Sequence, residues 1–324
     1  MSKKLSVIFL SIVLAIVVAA CGTTGTGTNT ASENTNTHGA QAPKENEELT
    51  IKHQLGETKV KKNPEKVVVF DFGVLDSLDK MGVNVTGVPQ ANIPPYLEKY
   101  KDAKYKNVGS LTEPDFEKIN AIGPDLIIIS GRQSKAYEEL SKIGPTIFMG
   151  VDNAKYMESF KQNVITLGDI FDKASVVKDE LAKVEETVKT VNQKATASGK
   201  NALIILVNGG KFSAYGPGSR FGIIHDVLGF APVDKNIEVS THGQSISVEY
   251  VVEKDPDYLF VIDRDAALGN GAAAKQVVEN ELVKNNKAFK NGNIVYLDSN
   301  YWYLSGGGLI SVAEMVKEVE AGLK

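Results

Sequence analysis

Two stretches of the chain, EKINAIGPDLIIISGR at 117–132 and EYVVEKDPDYLFVIDR at 249–264, align without a gap at an offset of 132 residues. A glutamate, a Pro-Asp pair and a closing arginine coincide, and the apolar runs LIII and YLFVI fall between the same markers. Each stretch reads as a short helix carrying the glutamate, then a buried strand whose carboxyl end delivers the arginine. A strand with no polar face belongs in a parallel sheet covered by helices. An internal repeat of that kind implies repeated architecture, so the chain is expected to build two similar α/β lobes.

The segments around the repeat supply what such lobes need. LTIKHQLGETKVKK (49–62) alternates polar and apolar residues around Gly56, as a hairpin does. EKVVVFDFGVLDSLDKMGV (65–83) reads as strand, turn and helix, with Val74, Leu75, Leu78 and Met81 on one face. Further strands are expected at 84–88, 126–130 and 146–149. From 154 to 197 there is no proline and no strand-like run, while Val176, Val177, Leu181, Val184, Val188 and Val191 keep a helical period. A helix of about 24 residues would be about 36 Å long and could cross between lobes. Strands resume at 201–207, 212–215, 257–262 and 293–298, with a helical run at 223–230, and LISVAEMVKEVEAGL closes the chain as a helix.

The amino terminus carries an address. Lys3 and Lys4 precede an apolar run, Leu5 to Ala20, that is too short for a comfortable span and fits a signal peptide. It ends in Val18-Ala19-Ala20-Cys21-Gly22, which resembles a bacterial lipobox with Cys21 as the lipidated residue. Cys21 is the only cysteine, so no internal disulfide can form. The residues after it contain no aliphatic larger than alanine as far as Glu48, and read as a flexible tether in which His38 is solvated. The expected division is a signal peptide at 1–20, a tether at 21–48, an N-terminal lobe at 49–153, a helical linker at 154–198 and a C-terminal lobe at 199–324. Net charge is −4, and −6 without the first twenty residues; no basic tract stands out, which argues against nucleic acid.

Lysine holds 33 of the 36 basic positions, and the three arginines, Arg132, Arg220 and Arg264, fall at comparable topological points. In open α/β sheets ligands bind beyond the carboxyl ends of the strands. Two lobes facing one another would bring these arginines to one cleft, where a planar, permanently charged guanidinium forks onto an anion. Tyr301 and Trp302, in DSNYWYLSGGG, follow a strand end and border the same cleft. GPGSRFG matches neither the dinucleotide nor the P-loop spacing, and no nucleophile elbow of the form G-x-S-x-G is present. With four histidines, a multi-histidine zinc site is poorly supplied. His53 and His225 are expected to be structural; His242, in the loop STHGQSIS, is a better candidate for the cleft.

Taken together, the lipobox, the repeat, the long helix and the stretches VVVFDFG, GPDLIIISGRQS, YGPGSRFG, STHGQSIS and PDYLFVIDR resemble bacterial siderophore-binding lipoproteins of ABC importers. The likeness runs from about residue 49 onward and is greatest to binders of ferric catecholates, including the petrobactin-type group. It implies the class III periplasmic-binding-protein-like fold: two Rossmann-like lobes joined by a long rigid backbone helix. It further implies an arginine triad around an anionic ferric complex, mapping to Arg132, Arg220 and Arg264. His242 and Tyr301 map to residues that ligate iron in some relatives. Glu117 and Glu249 map to a surface pair that docks on the permease. Where some petrobactin binders carry a lysine, this chain has Gln90. The implied protein is a monomer, held on the outer face of the cell membrane by its lipid and served by a permease and its ATPase. It performs no reaction, and its ligand is a ferric siderophore rather than an intrinsic cofactor. Haem or cobalamin binding on the same fold is the alternative, and an extracytoplasmic hydrolase a more distant one.

Overall fold

A computed structural model describes residues 47–271 and 274–324. The expected signal peptide, lipidated Cys21 and His38 lie outside the described residues.

The first lobe begins with an antiparallel hairpin, β1 (Glu48–His53) and β2 (Gly56–Lys61). Five parallel strands follow: β3 (Val67–Val69), β4 (Gly87–Val88), β5 (Lys106–Asn107), β6 (Leu126–Ile129) and β7 (Thr146–Phe148). Their order is β5-β4-β3-β6-β7. The central pair, β3 and β6, is buried along its whole length, as helices on both faces require. Those helices are α1 (Phe72–Lys80), α2 (Phe116–Ile122) and α3 (Tyr137–Ile143). The linker forms α4 (Tyr156–Ile170) and α5 (Ala174–Ser198); the latter has 25 residues and buries Val177, Leu181, Val184, Val191 and Ala195.

The second lobe comprises β8 (Asn201–Asn208), β9 (Lys211–Tyr215), β10 (Ala231–Pro232), β11 (Gln244–Ile246), β12 (Tyr258–Asp263) and β13 (Ile294–Leu297). Its sheet runs β11-β9-β8-β12-β13, with β10 paired to β8. The helices are α6 (Ile223–Asp226), α7 (Val248–Lys254), α8 (Arg264–Ala267), α9 (Ala274–Val278), α10 (Lys287–Lys290) and the closing α11 (Leu309–Gly322). This sheet is mixed, whereas a parallel one was expected: β9 runs antiparallel to β8, and β11 antiparallel to β9. The cause is local. Only Gly209 and Gly210 separate β8 from β9, both at positive φ (54° and 74°), and a connection that short permits only a hairpin.

The repeat explains itself residue by residue. Asp115 caps α2 through the Lys118 amide, and Ser247 caps α7 through the Tyr250 amide. Gly123 and Asp255 end those helices in the left-handed conformation. The aspartate of each Pro-Asp then accepts from the backbone at the start of the neighbouring parallel strand. Asp125 Oδ2 accepts from the Lys66 amide at 2.9 Å, and Asp257 Oδ2 from the Asn201 amide at 3.0 Å. Each pair sets the start of one strand against that of its partner.

One device has no counterpart in the repeat. Asp76 on α1 is fully buried and accepts from the Ile310 and Ser311 amides at 3.1 and 3.0 Å, capping α11 from the other lobe. The Leu309 amide donates to Ser77 Oγ at 2.9 Å. Gly308 permits the approach, because a Cβ there would sit 1.9 Å from Asp76 Oδ1. Burial raises the Asp76 pKa to about 7 against the hydrogen bonds that lower it.

Candidate functional site

The carboxyl ends of β3, β6 and β7 open onto a cavity of about 520 Å³, large enough for a drug-sized ligand. Asp71 lines it after β3, Arg132 after β6 and Gly150 after β7; Arg220 reaches it from the turn after β9. Trp302, Ser305 and Gly306 supply the floor before α11.

The three arginines converge on one residue, Tyr303. Arg132 Nη2 donates to the Tyr303 carbonyl at 2.7 Å and Nη1 to the Leu304 carbonyl at 3.3 Å. Arg220 Nη2 donates to that same Tyr303 oxygen at 2.6 Å, its guanidinium lying 4.5 Å from the tyrosine ring centroid. Arg264 Nε donates to the Tyr303 hydroxyl at 2.8 Å and Nη1 to Asn208 Oδ1 at 2.9 Å. Among the described residues none of the three forms an ion pair with a carboxylate; the ion pairs there use lysines.

Two guanidiniums on one carbonyl oxygen repel. Their donor nitrogens are roughly 5 Å apart or less, where two unit charges cost about 3 kcal/mol at an effective dielectric near 20. The Arg220 pKa is lowered accordingly, first by burial and then by Arg132. An anion entering the cavity would relieve that repulsion.

Of the other expected site residues among those described, only Trp302 lines the cavity. Trp302 is 2% exposed, lines the cavity and donates Nε1–H to Glu318 Oε2 at 2.8 Å. Tyr301 does not line the cavity: its ring packs 4.8 Å from Tyr96. Burial, followed by Glu314, Asp298 and Glu318, raises its pKa. His242 is exposed in its loop; its neighbour Thr241 lines the cavity instead. Glu117 and Glu249 are exposed at the second position of α2 and of α7, equivalent places in the two lobes. Gln90 donates to the Tyr100 carbonyl at 3.0 Å and serves its own loop. His53 accepts from the Leu55 amide and pairs with Thr58. Buried His225 donates Nδ1–H to the Phe230 carbonyl at 3.0 Å.

Sequence reasoning missed Tyr303, Asp71 and Tyr156. Tyr303 lies two residues beyond Tyr301 in a π-helical turn, Asn300–Ser305. Such turns gather at functional sites and re-aim the side chains they carry, and nothing in YWYLS marks one.

Residues 67–301 match the periplasmic binding protein family. The chain belongs to that family. As a periplasmic binding protein it is one of a family of binding proteins, not of enzymes. It is 54% identical to the petrobactin-binding protein YclQ of Bacillus subtilis, over 99% of both chains. The crystal structure of YclQ superposes with a TM-score of 0.83 at 58% identity, covering 86% of this chain and 99% of that one. The ferric-anguibactin-binding protein FatB of Vibrio anguillarum is 33% identical over 85% of this chain and 87% of its own. The periplasmic catecholate-siderophore binding protein VctP of Vibrio cholerae gives a TM-score of 0.82 at 38% identity, covering 85% of this chain and 100% of that one.

Proposed function

We propose that this chain captures an anionic ferric catecholate siderophore between its lobes and delivers it to an ABC permease, driven by its ATPase, for iron uptake. The observation that carries this reading is the arrangement of arginines: Arg132, Arg220 and Arg264 gather on Tyr303 with neutral acceptors only. A ferric tris-catecholate has six anionic oxygens around a trivalent ion and suits such a group. Guanidiniums fork onto its oxygens and lie against its electron-rich rings. The petrobactin, catecholate and ferric-anguibactin ligands named for YclQ, VctP and FatB support the class.

In this reading the protein is a monomer tethered through acylated Cys21 on the outer face of the membrane, each buried methylene contributing about 0.8 kcal/mol. Glu117 and Glu249, matched in position, contact the permease. The test uses Trp302, the only tryptophan, whose ring borders the cavity. Ferric catecholates should quench its fluorescence saturably, while haem and a ferric hydroxamate leave it unchanged. Quenching by haem alone would sink the proposal. Replacing Glu117 and Glu249 together by alanine should preserve that quenching and reduce iron uptake by cells; undiminished uptake would remove the docking role.

A further inference from the structure

The cavity carries both signs of charge. Asp71, at the carboxyl end of β3, lines the same cavity as Arg132 and Arg220. Its Oδ1 accepts from the Val74 amide at 2.9 Å as the cap of α1, and among the described residues no donor reaches Oδ2. Neither arginine forms an ion pair with it. Tyr156, in the same lining, lies within reach of both signs: burial raises its pKa most, Asp76 and Asp71 raise it further, and Arg220 lowers it.

A helix cap does not require this carboxylate. Asparagine and serine cap as well as aspartate does, and a carboxylate repels a ligand that is anionic throughout. What it favours is a ligand with a cationic group held some way from its anionic centre. The cavity, at about 520 Å³, is large enough to separate the two.

We propose that Asp71 is a specificity-determining residue that receives a protonated amine on the siderophore backbone, while Arg132 and Arg220 receive the anionic metal centre. This rests on the ferric catecholate reading above and narrows it to amine-bearing catecholates. A charge-assisted hydrogen bond from ammonium to carboxylate is among the stronger polar contacts a site can make. The amine would also find, on this side of the cavity, the negative charge that balances the arginines.

The substitution Asp71→Asn keeps the capping oxygen and removes the charge. Two probes would be titrated against Trp302 fluorescence in wild type and variant. Ferric petrobactin has spermidine arms with secondary amines; ferric tris(catecholate) has none. The variant is expected to bind ferric petrobactin roughly ten- to a hundred-fold more weakly, the range for losing a charged hydrogen bond. It should bind ferric tris(catecholate) as well as wild type does, or better. An unchanged ratio of the two affinities would overturn the proposal while leaving the catecholate reading intact. Wild-type protein that binds neither probe would overturn both. Thermal melting of the variant checks the cap, and Asp71→Ser, which also keeps a capping oxygen, repeats the comparison should asparagine destabilise α1.

Discussion

In the first lobe Arg132 leaves β6 through a 3₁₀ turn and donates to the backbone carbonyls of Tyr303 and Leu304. In the second, β12 continues as far as Asp263, and Arg264 opens α8 directly at its end, reaching the Tyr303 hydroxyl and Asn208. The two arginines occupy the same place in the repeat, yet only Arg132 lines the cavity. The third, Arg220, has no equivalent in the first lobe. It follows β9, a strand that exists because a two-glycine hairpin turns the second sheet back on itself. Shared ancestry of two halves would explain the caps and the strand ties, but the site is built where the halves differ.

Several substitutions would break or sharpen that contrast. The largest effect is expected at Asp76, which pins α11 of one lobe to α1 of the other. Its folded pKa, about 7, lies above the unfolded value near 3.8, so the native state retains a proton that the unfolded chain has lost. The contribution of Asp76 to stability is therefore largest below about pH 4 and falls as pH rises towards 7, by up to about 1.4 kcal/mol per unit. Denaturant midpoints of the wild type should decline across that window relative to those of Asp76→Asn. Parallel curves for the two proteins would show that Asp76 does not titrate there.

Next come the two cavity arginines. Arg132→Ala and Arg220→Ala should each cost about 1.5–3 kcal/mol of ferric catecholate affinity, read from Trp302 quenching. Arg264→Ala, outside the cavity lining, should cost less, about 0.5–1 kcal/mol. Equal losses at Arg264 and Arg220 would erase the distinction between the arginines that line the cavity and the one that does not. The smallest contrast tests what the lobes share. Asp125→Ala and Asp257→Ala each remove a strand tie and should lower folding stability by similar amounts, about 1 kcal/mol, without touching ligand affinity. A large difference between them would mean the two ties are equivalent in position only.

The arginines were legible because they are rare, and because strand ends in α/β lobes face ligands. The long helix was legible from its period: α5 covers the expected valines and Leu181 in one run. The parallel character of the second sheet was misread, since NGGK carries the hairpin signal that periodicity in the flanking strands does not. Tyr303 was missed because a strand end followed by aromatics does not reveal which ring meets the arginines. The π turn at Asn300–Ser305 decides that, by rotating successive side chains differently from an α-helix. Asp71 was overlooked because nothing in VVVFDFG shows that the residue capping α1 also lines a cavity.

By itself, then, the sequence determined the two-lobed α/β plan, the caps and strand starts of the repeat, and the identity of the cationic residues. All of these follow from local chemistry: apolar runs, capping side chains and the choice of arginine over lysine. Only the tertiary structure decided that Arg132 and Arg220 share a single carbonyl oxygen, that Asp71 lines the same cavity as they do, and that Asp76 locks α11 onto the opposite lobe. Those pairings join residues from distant parts of the chain, and their geometry is set by how the lobes pack rather than by any spacing along it.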